Sequence, residues 1–218
     1  MAEKENKITT ILFGLDGVVV NTDSYYDNFW NTIAKTNGLK IENFASVIKG
    51  MSINSIIDLY FAISTAEEKH AIRKACCEME QSIPYKDVMI PGILDFIKYA
   101  KKAGYKLGVV TSSPTSKAGA VLDQLSLGGV FDTIITSDSI KRGKPDPMGY
   151  VLASTNLGVQ NTECVVFEDS FTGIKAATYA FMRVIGVATS LSEDFLKDYT
   201  YGTIADFTDL EKVKSLLA

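Results

Sequence analysis

Apolar residues are laid along this chain in two rhythms. Six short runs, "ITTILFGL", "YKLGVVTSS", "DTIITSD", "ECVVFEDS", "MRVIGVAT" and "YGTIADF", are rich in β-branched and aromatic residues and carry little internal polar alternation. Between them lie longer stretches with helical spacing, among them "PGILDFIKYAKKAG", "SKAGAVLDQLSL", "DPMGYVLASTNLG" and "SFTGIKAATYA". Apolar runs without alternation, separated by helices, are the pattern of strands covered on both faces. They predict a parallel sheet of βαβ units, an α/β, Rossmann-like core formed by residues 1–20 and 86–218.

The rhythm changes after the first run. Residues 21–85 hold only helical periodicity, as in "YYDNFWNTIAKTNG", "NSIIDLYFAIS" and "AEEKHAIRKACCEMEQSI", and predict an all-α subdomain inserted behind the first strand. Ile83-Pro84 and Ile90-Pro91 punctuate the return to the sheet, because the residue before a proline is turned away from the helical region.

Composition narrows the partners. The 218 residues are 46% hydrophobic with a net charge of −4, which gives no electrostatic footprint for nucleic acid or for an anionic membrane. The polar start "MAEKENK" has no apolar signal region, and no later segment approaches the roughly 18 apolar residues of a membrane span. The expectation is a cytoplasmic protein, a monomer or weak dimer. Cys76, Cys77 and Cys164 have neither disulfide nor metal spacing and read as buried or half-buried free thiols. His70, the only histidine, sits in a polar helical pattern and reads as solvated.

Ligands of an open parallel sheet bind beyond the carboxyl ends of its strands, so the chemistry is sought where the runs end. They end in "FGLDG" (Gly14, Asp16), "VVTSS" (Thr111, Ser112), "ITSD" (Ser137, Asp138) followed by "KRGKPDP" (Lys144), and "VFEDS" (Glu168, Asp169). Glu168 and Asp169 opposite the Asp16 region make a hard, oxygen-rich site suited to magnesium with several waters retained. The plainer reading is that "EDS" only caps the helix that follows. Thr111 and the amides after it, at the start of the next helix, can receive a phosphate oxygen. Lys144, fixed between Gly143 and Pro145, adds positive charge, though a lone loop lysine is ordinarily just solvated.

These four runs, in this order, resemble the haloacid dehalogenase superfamily, in the branch with a helical cap that includes phosphoglycolate phosphatase-like and β-phosphoglucomutase-like proteins. The resemblance covers essentially the whole chain. It implies Asp16 as general acid/base with its carbonyl on Mg2+, Thr111 as a phosphoryl ligand, Lys144 as charge neutraliser, and Glu168 and Asp169 as metal ligands. The substrate implied is a small phosphorylated metabolite. The cap's specificity loop falls on "VIKGMSINSI", which makes Lys49, Gly50, Met51 and Ser52 substrate-binding candidates together with Ser112.

Gly14 departs from the pattern, since the family has its nucleophilic aspartate there. A glycine cannot attack phosphorus, and loss of a covalent nucleophile removes on the order of 10⁴ to 10⁶ of the rate. The chain as given is therefore expected to be impaired or inactive as a phosphatase. Three accounts stay open: a pseudoenzyme that binds phospho-ligands, an altered copy of an active enzyme, or direct activation of water by Asp16. The mutases carry an arginine just after "KG" where this chain has Ile53, and a histidine in the first cap helix where it offers Tyr25 or Tyr26. Both departures favour hydrolysis of a monoester over a sugar-phosphate mutase. A dinucleotide-binding reading fails on "GLDGVV", which is not G-x-G-x-x-G and is acidic where a pyrophosphate would sit.

Overall fold

The six apolar runs form six strands in a computed structural model that describes residues 7–218. They are β1 (Thr10–Phe13), β2 (Lys106–Val110), β3 (Thr133–Ile135), β4 (Cys164–Glu168), β5 (Arg183–Val187) and β6 (Gly202–Ile204). All pair in parallel, in the order β3-β2-β1-β4-β5-β6. β1 lies centrally, with Leu12 opposite Gly108 of β2 and Val166 of β4.

Period-two alternation explains why these runs are apolar throughout. Ile11, Phe13, Val165 and Phe167 point into one core, while Leu12, Val110, Cys164 and Val166 point into the other. The first core is covered by α5 (Ile93–Lys102), α6 (Thr115–Gln124) and, at the end of the chain, α10 (Leu210–Ser215). Phe13 is its centre, stacked on Phe167 at 5.6 Å and edge-on to Phe96 at 6.0 Å. The second core is covered by α7 (Met148–Leu157), α8 (Phe171–Tyr179) and α9 (Glu193–Lys197). The result is a three-layer α/β fold of Rossmann type.

Residues between β1 and α5 form α1 (Asp23–Thr36), α2 (Phe44–Ile48), α3 (Ile53–Tyr60) and α4 (Ala66–Ser82). They hold a core of their own, in which Trp30, Phe44, Ile57, Phe61 and Ile72 are buried. Local signals fix two of the helix starts. Ser52 caps α3 by accepting from the Ser55 amide, and Thr65 and Glu68 form a reciprocal capping box at α4. No helix among the described residues is long and apolar enough to cross a membrane. Cys76 and Cys164 are buried, whereas Cys77 is exposed rather than half-buried; His70 is also exposed.

Candidate active site

A cavity of about 280 Å³ lies between the strand ends and the four inserted helices. Its sheet-side wall carries Asp16, Thr111, Ser112, Lys144, Glu168 and Asp169, and Lys49 and Gly50 come from the loop after α2. Gly14, buried at the end of β1, presents no side chain to it. Ser52 does not reach the cavity, since its hydroxyl is spent at the N-terminus of α3.

Asp16 follows β1 in a tight turn in which the Gly17 amide donates to the Val20 carbonyl at 2.7 Å. Gly17 has φ +75°, and a Cβ there would stand 2.0 Å from Asp169 Oδ2, so only glycine lets the turn close onto that carboxylate. The Asp16 carboxylate accepts from Lys117 Nζ at 2.7 and 2.8 Å, from Thr22 Oγ1 at 2.6 Å and from Ser113 Oγ at 3.0 Å. Burial pushes its pKa up. The Lys117 charge and these hydrogen bonds outweigh that push and hold the pKa below the usual carboxylate value.

Lys117 is itself part of a chain of polar groups. It donates to the Tyr26 hydroxyl at 2.5 Å, and Tyr26 donates to Glu80 Oε1 at 2.5 Å, joining α6 to α1 and α4. Lys117, Tyr26 as the definite partner, and Glu80 escaped sequence reasoning. A lysine in the first turn of a core helix carries no local signal of burial.

Lys144 is not solvated. Its amine is paired with Glu168 and donates to the Val110 carbonyl at 3.1 Å. Glu168 Oε1 also accepts from Tyr150 at 2.7 Å, and Oε2 accepts from the Ser170 hydroxyl at 3.1 Å. Burial opposes ionisation of Glu168, but Lys144 and these donors bring its pKa below the ordinary value. Asp169 has the opposite balance. Burial and the adjacent Glu168 charge push its carboxyl well above the usual range, against the pull of Lys49 and the hydrogen bond from Ser190. Asp23 adds to the negative charge and pairs with Lys49.

The cap expected from "EDS" is supplied by Ser170, which accepts from the Gly173 amide at 3.1 Å, so Glu168 and Asp169 are not needed for it. Thr111 is not at a helix start, because α6 begins only at Thr115. Its hydroxyl accepts from the Ser113 amide at 3.1 Å and shapes the loop. Asp138 takes the Thr115 amide at 2.8 Å, which makes it a support for α6. Among the described residues, no group of three or more His, Cys, Asp or Glu side chains is gathered as a metal cluster.

The parallel sheet thus gathers carboxylates, hydroxyls and a lysine at its strand ends, facing an inserted helical unit across one cavity. The sequence matches the haloacid dehalogenase-like hydrolase family over residues 11–187, and the chain belongs to that family. It is 28% identical over 191 residues to validoxylamine A 7'-phosphate phosphatase of Streptomyces hygroscopicus subsp. limoneus, covering 86% of this chain and 89% of that one. It is 29% identical over 188 residues to the phosphorylated carbohydrates phosphatase of Thermotoga maritima, covering 84% and 87%. Among solved structures it is similar to β-phosphoglucomutase from Clostridium difficile, with a TM-score of 0.81 and 25% identity over 96% of this chain and 97% of that one. The scaffold is that of the phosphatases and phosphotransferases of the family.

Proposed function

We propose that the chain carries the site of a magnesium-dependent phosphomonoesterase for a small phosphorylated metabolite, silenced at Gly14. The observation that carries this reading is the convergence of Asp16, Thr111, Lys144, Lys49 and Asp169 on one cavity roofed by the inserted helices. Lys144 and Thr111 receive the phosphoryl oxygens, where positioning and charge compensation do most of the catalytic work. Asp16, held ionised by Lys117, is in the state to take a proton from a water oxygen as general base. The helical unit acts as a cap that excludes water and contacts the leaving group.

Magnesium fits the donors present. It uses one or two carboxylates and keeps several waters, and the excess negative charge around Asp169 is what a divalent cation would relieve. Asp169 and the main-chain carbonyl of Asp16 would hold it, with Glu168 behind them, and it would neutralise charge on the phosphoryl group.

Gly14 leaves no carboxylate to form an aspartyl-phosphate, so the chain as given binds phosphate esters without turning them over. The test is hydrolysis of p-nitrophenyl phosphate with magnesium by this chain and by Gly14→Asp. A gain on the order of 10⁴-fold or more in the Asp form, abolished by EDTA, is expected. A folded Gly14→Asp protein without activity would overturn the proposal.

A further inference from the structure

We infer that the cavity selects phosphate esters with a small apolar alcohol portion, an aryl or short alkyl group, over esters of polyols. The inference rests on the phosphomonoesterase reading and adds the substrate class. Opposite Lys144 and Thr111, the wall of the cavity is built by Trp30 of α1, Ile48 of α2, Met51, and Ile53 and Ile56 of α3. Trp30, Ile48 and Ile56 also belong to the buried core of the helical unit, which makes this wall a face of that core rather than a loose surface.

Several of the polar groups that the helical unit brings to the same cavity are already engaged, Lys49 with Asp23 among them. The Tyr26 hydroxyl accepts from Lys117 and donates to Glu80, both at 2.5 Å. Cys76 Sγ is 3.8 Å from the same Glu80 oxygen. Arg73 directs Nε and Nη2 to Asn54 Oδ1 at 3.4 and 3.3 Å. Asp27 is exposed, where water serves it. A polyol pressed against Trp30, Ile48, Met51, Ile53 and Ile56 would lose water from several hydroxyls, and these side chains offer little hydrogen bonding in exchange, which is costly for each one. An aryl or alkyl group would instead remove its own apolar area, and that of the partly exposed Met51 and Ile53, from water. The volume of about 280 Å³ sets the size, room for a phosphoryl group and one ring.

Trp30 is the only tryptophan in the chain, so its emission reads the wall directly. The chain as given is titrated with phenyl phosphate, sorbitol 6-phosphate and inorganic phosphate, by calorimetry and by Trp30 fluorescence. Phenyl phosphate is expected to bind at least about tenfold tighter than sorbitol 6-phosphate and to change Trp30 emission. Ile53→Asn and Met51→Asn, both at partly exposed positions, should each weaken phenyl phosphate severalfold and leave the Kd of inorganic phosphate unchanged. Far-UV circular dichroism identifies a variant that misfolds, and the other then decides. Sorbitol 6-phosphate binding as well as phenyl phosphate, phenyl phosphate binding no tighter than inorganic phosphate, or folded variants without effect would each overturn the inference alone. Failure of all three compounds to bind would overturn the phosphate-site reading, and this inference with it.

Discussion

Replacing Lys117 by Met should destabilise the protein by about 2–3 kcal/mol. Lys117 stands in the first turn of α6 with its side chain only 1% exposed, and its ammonium reaches both oxygens of Asp16 and the Tyr26 hydroxyl. Methionine keeps the length and apolar volume of the side chain but removes the charge. A fully buried ion pair that loses one partner costs about 3–5 kcal/mol. Here Asp16 is 31% exposed towards the cavity and keeps Thr22 and Ser113 as donors, so water and hydroxyls recover part of the loss. At about 2–4 °C per kcal/mol for a chain of this size, Tm should fall by roughly 4–12 °C. The assay is thermal and urea unfolding followed by far-UV circular dichroism and Trp30 fluorescence, for Lys117→Met, Asp16→Asn and the double variant. Removing the stranded carboxylate should make the double variant less damaged than the sum of the singles by about 1–2 kcal/mol. Lys117→Met within about 0.5 kcal/mol of the parent, or strict additivity in the double variant, would refute the view that Lys117 holds Asp16.

The two other cavity lysines should differ sharply in the same unfolding assay. Lys144→Met strands Glu168, whose side chain is 1% exposed, and should cost about 3–5 kcal/mol; Lys49→Met breaks a pair exposed by 28% and 24% and should cost about 1 kcal/mol or less. Asp132 gives a pH signature. Burial opposes its ionisation, but hydrogen bonds from the Leu107 amide at 2.8 Å and Lys101 at 3.0 Å lower its pKa below 3.8. A carboxyl with a lowered folded pKa contributes stability above its unfolded value and loses it as pH falls through the folded value. The stability gap between the parent and Asp132→Asn should therefore stay constant near neutrality and close below pH 3.8, and a gap indifferent to acid in urea titrations would refute this.

The sheet was legible because β1, β2, β4 and β5 are buried on both faces, which turns a strand into an uninterrupted apolar run; the edge strand β3 keeps an apolar run although its Ile134 is exposed. The long helices were legible because α1, α4 and α5 supply several turns of periodicity. The helix α2, at Phe44–Ile48, and the helices α9 and α10 were not: five or six residues give too little of a 3.6-residue period to stand out from a loop. The same distinction holds in the site. Asp16, Thr111 and Asp169 directly follow strands, and the sheet alone carries them to one edge, whereas Lys144 stands well past β3 and is held there by Glu168 and the Val110 carbonyl. Lys117, Glu80, Tyr150 and Ser190 enter through packing between elements distant in the chain, and a single sequence does not encode that packing in any local pattern.

Gly14 and Gly17 show how structure separates a glycine the fold requires from one it does not. Gly17 is fixed twice, by φ +75° and by Asp169 at 2.0 Å from its missing Cβ. Gly14 is fixed by neither. Its φ lies outside the left-handed region, its amide makes an ordinary bond to the Phe167 carbonyl at 3.0 Å, and a Cβ would meet Val18 Cγ2 at 3.1 Å and Glu168 Oε1 at 3.4 Å. Only Val18 has to yield, and by a small rotation of its side chain. The new carboxylate of Gly14→Asp would approach Glu168, but the Lys144 ammonium already paired there offsets the repulsion. A less flexible residue also lowers the entropy of the unfolded chain, a gain of about 0.4–1 kcal/mol. Gly14→Asp should accordingly unfold within about 1 kcal/mol of the parent. A much larger loss would mean that the backbone at the end of β1 has been shaped around glycine.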